Sequence, residues 1–120
     1  MALKTNKYMQ GDVWLFSPDP IVDNELGKKI RPCVIMSSNS WNKVGSGLVI
    51  VLPLTSVDKN IFTHVRIEPP EGGLTQTSFA LCEQIRSISR ERLIKKLGSI
   101  KSQTLLHEMR TWLIDLTRIE

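Results

Sequence analysis

Five short apolar or alternating runs precede one long helical stripe, and each run is cut off by proline, glycine or a polar cluster. That order limits the fold more tightly than composition does, because short strands with uneven loops favour a small, partly closed barrel. Gly11-Asp12-Val13-Trp14-Leu15-Phe16 reads as the first strand, stopped by Ser17-Pro18-Asp19-Pro20. A polar loop through Asp23, Asn24, Glu25 and Gly27 follows, too long for a tight hairpin and of the kind that often carries function. Arg31–Met36 and Leu48–Leu54 are the next two strands, joined by a polar connection from Ser37 to Gly47. Val57-Asp58-Lys59-Asn60 is a turn. Phe62–Ile67 alternates, with His64 and Arg66 on one face and Thr63, Val65 and Ile67 on the other. Glu68–Leu74 is a loop by its proline and glycine content, and Thr77–Ile88 is mostly extended. After Ser89, a helix and a single turn followed by a strand across Ile94–Ile100 fit the residues equally well.

The C-terminal stripe is Leu105, Met109, Trp112, Leu116 and Ile119, widened by Leu106 and Leu113. This spacing makes one face of an α-helix, and core packing explains the stripe better than a partner groove does. Ser102 is its expected N-cap, and Arg110 and Arg118 lie toward the end where a cation offsets the helix dipole. The expected architecture is mainly β with α: a small SH3-like, partly closed barrel with a C-terminal helix, forming a single domain over residues 1–120.

Apolar residues make up 41% of the 120 and charged residues 23%, ordinary values for a globular chain. No apolar run reaches the length of a membrane span, and Met1–Tyr8 lacks the apolar stretch of a signal peptide, so the expected compartment is the cytoplasm. Cys33 and Cys82 lie in apolar runs, as buried, reduced thiols do. With His64 and His107 they show no ligand spacing, so no metal or other cofactor is expected. The net charge of +4 permits a polyanionic partner without establishing one.

Two strand ends carry chemistry. Arg31 enters its strand from a basic loop containing Lys28 and Lys29, and Pro32 holds it in extended geometry. A guanidinium on so stiff a stem suits a phosphate. The Leu48–Leu54 strand runs into Thr55-Ser56, whose hydroxyls can hold a phosphate or relay a proton. These are parts that a ribonuclease working without a metal would need. Each has a plainer alternative. Arg31 can form a salt bridge with Asp23 or Glu25, Thr55 can bond its own backbone, and Lys28 and Lys29 can be a solvated loop.

The residues also resemble a known family, the MazF/PemK (Kid) toxin endoribonucleases of type II toxin–antitoxin modules. Gly11-Asp12-Val13-Trp14 is similar to the family's opening Gly-Asp strand. Asn24-Glu25-Leu26-Gly27 with Arg31-Pro32-Cys33-Val34-Ile35 resembles its Ser-Glu-Gln-Gly…Arg-Pro-x-Val signature. Leu52-Pro53-Leu54-Thr55-Ser56 resembles its strand ending in a Thr-Ser or Thr-like pair. Leu81-Cys82-Glu83-Gln84-Ile85-Arg86-Ser87-Ile88 is similar to its Leu-x-[Glu/Asp]-Gln-[Ile/Val]-[Arg/Lys]-[Ser/Thr]-Ile motif. The chain departs from the pattern in the length of the Pro20–Arg31 loop and in the Trp41–Gly47 connection.

The resemblance implies a symmetric homodimer that cuts single-stranded RNA and is inhibited by an antitoxin with an acidic, partly disordered tail. It also favours one helical turn and then a strand after Ser89. Arg31 and Thr55 match the catalytic arginine and threonine, and Glu25 matches a loop acid that either takes the 2′-OH proton or only orients the guanidinium. Ser56 would contact the phosphate or brace the groups that do, Lys28 and Lys29 would attract the RNA backbone, and Gln84 would read a base edge or remain a satisfied barrel amide. Attack by the 2′-OH would leave a 2′,3′-cyclic phosphate and a 5′-OH, and DNA would be spared. His64 and His107 match no family motif and are not taken as bases. A gyrase-poisoning binder of the CcdB type is an alternative, but its Trp-Gly-Ile ending is missing here, where Trp112 precedes Leu113. A catalytically silent relative that binds antitoxin or RNA is another.

Overall fold

The computed structural model describes residues 6–17 and 30–120. Among the described residues, seven strands form one antiparallel sheet: β1 (Asp12–Phe16), β2 (Arg31–Ile35), β3 (Leu48–Thr55), β4 (His64–Ile67), β5 (Ser78–Leu81), β6 (Arg86–Ser89) and β7 (Leu93–Ser99). A short helix α1 (Asn39–Lys43) lies between β2 and β3, and α2 (Gln103–Leu116) follows β7. The strands run in the order β4-β5-β3-β2-β1-β7, with β6 paired to β3 outside that path. The mainly β architecture with a C-terminal helix is the one expected.

β3 makes the sheet curl. Its first half pairs with β6, from Leu48↔Ser89 to Val51↔Arg86, while Leu54 and Thr55 pair with Ala80 and Phe79 of β5. β2 holds its other edge through Cys33↔Pro53 and Ile35↔Val51. Pro53 falls where β3 changes partner, a position at which a residue without an N–H is tolerated.

Successive residues of β1, β2 and β3 enter two cores on opposite sides of the sheet. Val13, Val34, Leu52 and Leu54 pack beneath α2 with Val65, Ala80 and Met109. Trp14, Cys33, Val49 and Val51 join Phe16, Ile35, Ile88 and Leu93 inside the curl. Burial on both faces is why these strands read as continuous apolar runs.

Gly11 and Asp12 fasten the start of this frame. The Gly11 N–H donates to the Ile35 carbonyl, and its own carbonyl accepts from Ile100. The buried Asp12 carboxylate accepts from the Met9 N–H at 3.0 Å and the Ser99 hydroxyl at 2.8 Å.

Several sequence expectations need correction. The Thr77–Ile88 stretch is two strands, because Cys82–Gln84 forms a 3₁₀ turn that carries the chain from one part of β3 to another. The polar Ser37–Gly47 connection holds α1, capped by the Ser38 hydroxyl, which accepts from the Trp41 N–H. Ser102 does cap α2, accepting from the Leu105 N–H. That helix stops at Leu116, so Ile119 lies beyond it and is 97% exposed, and only the first part of the stripe reaches the core. Arg118 also lies past the end and pairs with Asp115 and Glu120. After Ser89 the chain makes one 3₁₀ turn, Arg90–Arg92, and then β7.

Both cysteines are buried free thiols. Burial pushes Cys33 up to about 12 and, with the nearby Glu83 and Glu108 carboxylates, Cys82 also to about 12, so neither is a thiolate at neutral pH. Among the described residues, no helix is long and apolar enough to cross a membrane.

Candidate active site

β2 begins where β3 ends. The antiparallel register that opposes Cys33 to Pro53, continued outward by two residues, sets Arg31 opposite Thr55. On the far side Thr55 pairs with Phe79 of β5, and Phe79 pairs with Arg66 of β4. The strand ends therefore form a row in which polar side chains take over from the buried core.

A pocket of about 230 Å³ opens at this row, lined by Ile30, Arg31, Pro32, Leu54, Thr55, Ser56, Gln76 and Ser78. It gathers one cation, three hydroxyls and one amide. Arg31 is exposed at its mouth, and among the described residues no carboxylate pairs with it. The Thr55 hydroxyl accepts from the Val57 N–H at 3.2 Å, so the local bond and the pocket position coexist. Because Oγ1 is the acceptor in that bond, its proton is free to be donated into the pocket.

The structure thus brings together Arg31, Thr55 and Ser56 of the residues singled out in the sequence. Glu25, Lys28 and Lys29 lie outside the described residues. Gln84 is not part of the pocket: it is exposed on the Cys82–Gln84 turn, with its amide 3.5 Å from Glu83. Gln76 and Ser78 escaped the sequence reading. Their signal is the polar run Thr75-Gln76-Thr77-Ser78, which leads into a buried strand and supplies its first residue.

Two other features attract attention and carry less chemistry. A larger groove of about 590 Å³ separates α2 from the start of α1, with Gln10, Asn39, His107 and Arg110 among its lining. It converges no reactive set.

His64 is not on an open polar face as its alternation suggests. Its side chain is 3% exposed, with Nε2 2.8 Å from Glu83, which also accepts from the Thr63 hydroxyl at 2.7 Å. Burial raises the Glu83 pKa, but the hydrogen bonds from His64 and Thr63 outweigh it and hold the carboxyl below its ordinary value of 4.5. A lowered native pKa stabilises the fold above the ordinary value, and this contribution is lost as the pH falls through the lowered one. The melting temperature of the wild type should therefore fall toward that of Glu83→Gln on acidification below about pH 4.5. A difference between the two that stays constant from pH 7 to pH 3 would contradict this pairing.

Comparison with known proteins agrees with the geometry. The profile of the PemK-like, MazF-like toxin of type II toxin–antitoxin systems matches residues 9–115. An endoribonuclease MazF of Staphylococcus saprophyticus is 36% identical over 97 residues, 80% of each chain. The Staphylococcus epidermidis endoribonuclease MazF is 32% identical over 98 residues, 81% of each chain. Among solved structures, MazF of Deinococcus radiodurans superposes with a TM-score of 0.71 at 25% identity, covering 94% of this chain and 97% of that one. The Mycobacterium tuberculosis toxin MazF-mt6 gives a TM-score of 0.73 at 16% identity, over 91% and 98% of the two chains, a likeness of fold. With the fold, the pocket and the match all in agreement, this chain belongs to the PemK-like, MazF-like toxins of type II toxin–antitoxin systems.

Proposed function

We propose that this MazF-family toxin endoribonuclease cuts single-stranded RNA in a sequence-dependent way and without a metal, acting in the cytoplasm as one domain spanning residues 1–120. The observation that carries this reading is the convergence of Arg31, Thr55 and Ser56 on one pocket at the β2 and β3 ends.

The chemistry follows from the lining. A 2′-OH attacks the adjacent phosphorus, negative charge builds on the non-bridging oxygens, and the 5′-oxygen leaves, giving a 2′,3′-cyclic phosphate and a 5′-OH. Arg31 offers a fixed cation to those oxygens. A guanidinium carries five N–H donors and no acceptor, so charge stabilisation is its role. Thr55, whose Oγ1 accepts from the Val57 N–H, donates to the phosphate, and Ser56 adds a second hydroxyl. Glu25 is the proposed base or orienting acid, and Lys28 and Lys29 the proposed backbone contacts. Gln84 would serve a stretch of RNA running past the Cys82–Gln84 turn.

The partners follow from the family. The Deinococcus radiodurans relative has been solved as a MazE–MazF complex, and here we infer a cognate antitoxin with an acidic, partly disordered tail that competes for the region around Arg31. A homodimer is supported by apolar side chains exposed on and beside α2, including Ile114, Leu116 and Phe62.

Incubating the purified protein with a mixed RNA pool in EDTA, then mapping the cut ends, tests the reaction. Cutting should persist, leave a 5′-OH and spare DNA. Loss of cutting on chelation, restored by magnesium, would refute the metal-free reaction.

A further inference from the structure

We propose that Gln76 selects the base beside the cleaved phosphate, and that an Arg66–Glu68–Thr77 network holds it in reading position. The proposal rests on the ribonuclease reading and adds to it a source of sequence preference.

Gln76 lines the same pocket as Arg31, Thr55 and Ser56. Its backbone is fixed, because the Ser78 hydroxyl donates to its carbonyl at 3.1 Å. Its side chain is exposed, and its amide hydrogen-bonds to no described residue. A pinned backbone with a free amide facing a pocket is the arrangement of a reader.

The chemistry of the lining separates the roles. A phosphate asks only for donors, which Arg31 and the hydroxyls supply. Hydroxyls rotate to suit any partner. Among the described lining residues, Gln76 alone presents a donor and an acceptor in one rigid plane, the pattern that matches a base edge in unstacked RNA. The pocket, at about 230 Å³, is also below the roughly 300–1,000 Å³ of small-molecule sites, which suits a phosphate and a base edge more than a whole separate ligand.

The network behind Gln76 gives it precision. Glu68 follows directly after β4, whose last residue Ile67 pairs with Ser78 at the start of β5. Its carboxylate accepts from Arg66 Nε at 2.6 Å and from the Thr77 hydroxyl. Those two bonds, Thr77 first, hold its pKa below the ordinary value, so the brace is charged at neutral pH. Thr77 lies between the two pocket residues Gln76 and Ser78, so tethering it orients both. Arg66 remains largely exposed in the same row as Phe79 and Thr55, with Glu68 directing it along the sheet.

The test uses wild type, Gln76→Ala, Gln76→Glu and Glu68→Gln on a randomised single-stranded RNA pool, with cut ends sequenced and rates measured on the best wild-type site. Melting curves establish that each variant is folded. Gln76→Ala should relax preference at a single position flanking the cut by about 5- to 150-fold, the discrimination a paired amide typically supplies. Gln76→Glu, an acceptor only, should shift that position toward bases with an exocyclic amino donor. Glu68→Gln should relax the same position more weakly and act on KM more than on kcat. An unchanged preference at every position in Gln76→Ala overturns the proposal, and so does a uniform loss of cutting at all sites. A wild type that cuts no RNA would instead refute the ribonuclease reading on which the proposal stands.

Discussion

Arg31→Ala should lower RNA cleavage by about 10²–10³-fold while leaving the fold intact. In the proposed reaction the guanidinium faces the charge that develops, and it lies at a pocket whose other described polar groups are neutral. Pro32 and the Phe16↔Arg31 pairing fix the stem from which it projects, so little reorganisation is needed when charge appears. Arg31→Lys should recover only part of the rate, because an ammonium cannot grip two phosphate oxygens in one plane. Since Arg31 is exposed, its removal should shift stability by no more than about 0.5 kcal/mol. Thr55→Ala should slow cutting by a comparable factor through loss of the donated proton. Single-turnover cleavage of a short RNA, with melting curves alongside, measures both effects. Wild-type rates in both variants would place the chemistry elsewhere in the molecule.

Local physics made some of this structure legible in the residues alone. Runs such as Leu48–Leu54 are short and rich in β-branched residues, as strands are, and Ser102 announced the start of α2 because a capping hydroxyl acts over three residues. Arg31 and Thr55 stood out because proline and a strand end confer stiffness locally. What depends on distant partners was hidden. Whether His64 faced water was decided by Glu83, nineteen residues away, whose carboxylate draws the ring under cover. The break at Cys82–Gln84 exists because β3 has room for two partners along one edge, which no local pattern in residues 77–88 records. Gln76 became visible as a pocket residue only once β5 was seen beside the end of β3. Family resemblance, not periodicity, decided between helix and strand after Ser89.

The turn that leads into the Gln76 segment has no room for a side chain, which sets the second large effect. Gly73 has φ +73°, and a Cβ built on it would lie 2.1 Å from the Leu97 carbonyl oxygen and 2.7 Å from its carbon. Gly98 faces it, and a Cβ there would lie 2.8 Å from the backbone of Gly72 and Gly73. Two backbones are therefore in direct contact, the Glu71–Gly73 turn against β7, and neither atom struck is a side-chain end that can swing away. The same turn anchors α2, since the Glu71 carboxylate accepts from the N–H groups of Lys101 and Ser102. Gly73→Ala combines a left-handed backbone penalty with a main-chain clash, and together these should destabilise the protein by about 2–5 kcal/mol. Gly45→Ala is the matched control. A Cβ there meets nothing within 4 Å, and lower entropy in the unfolded chain should make it neutral or stabilising by up to about 1 kcal/mol. Urea unfolding separates the two, with a lower midpoint at unchanged slope for Gly73→Ala. If Gly73→Ala unfolds at the wild-type midpoint, the turn does not rest on β7, and the support it gives to the segment carrying Gln76 and Ser78 falls with it.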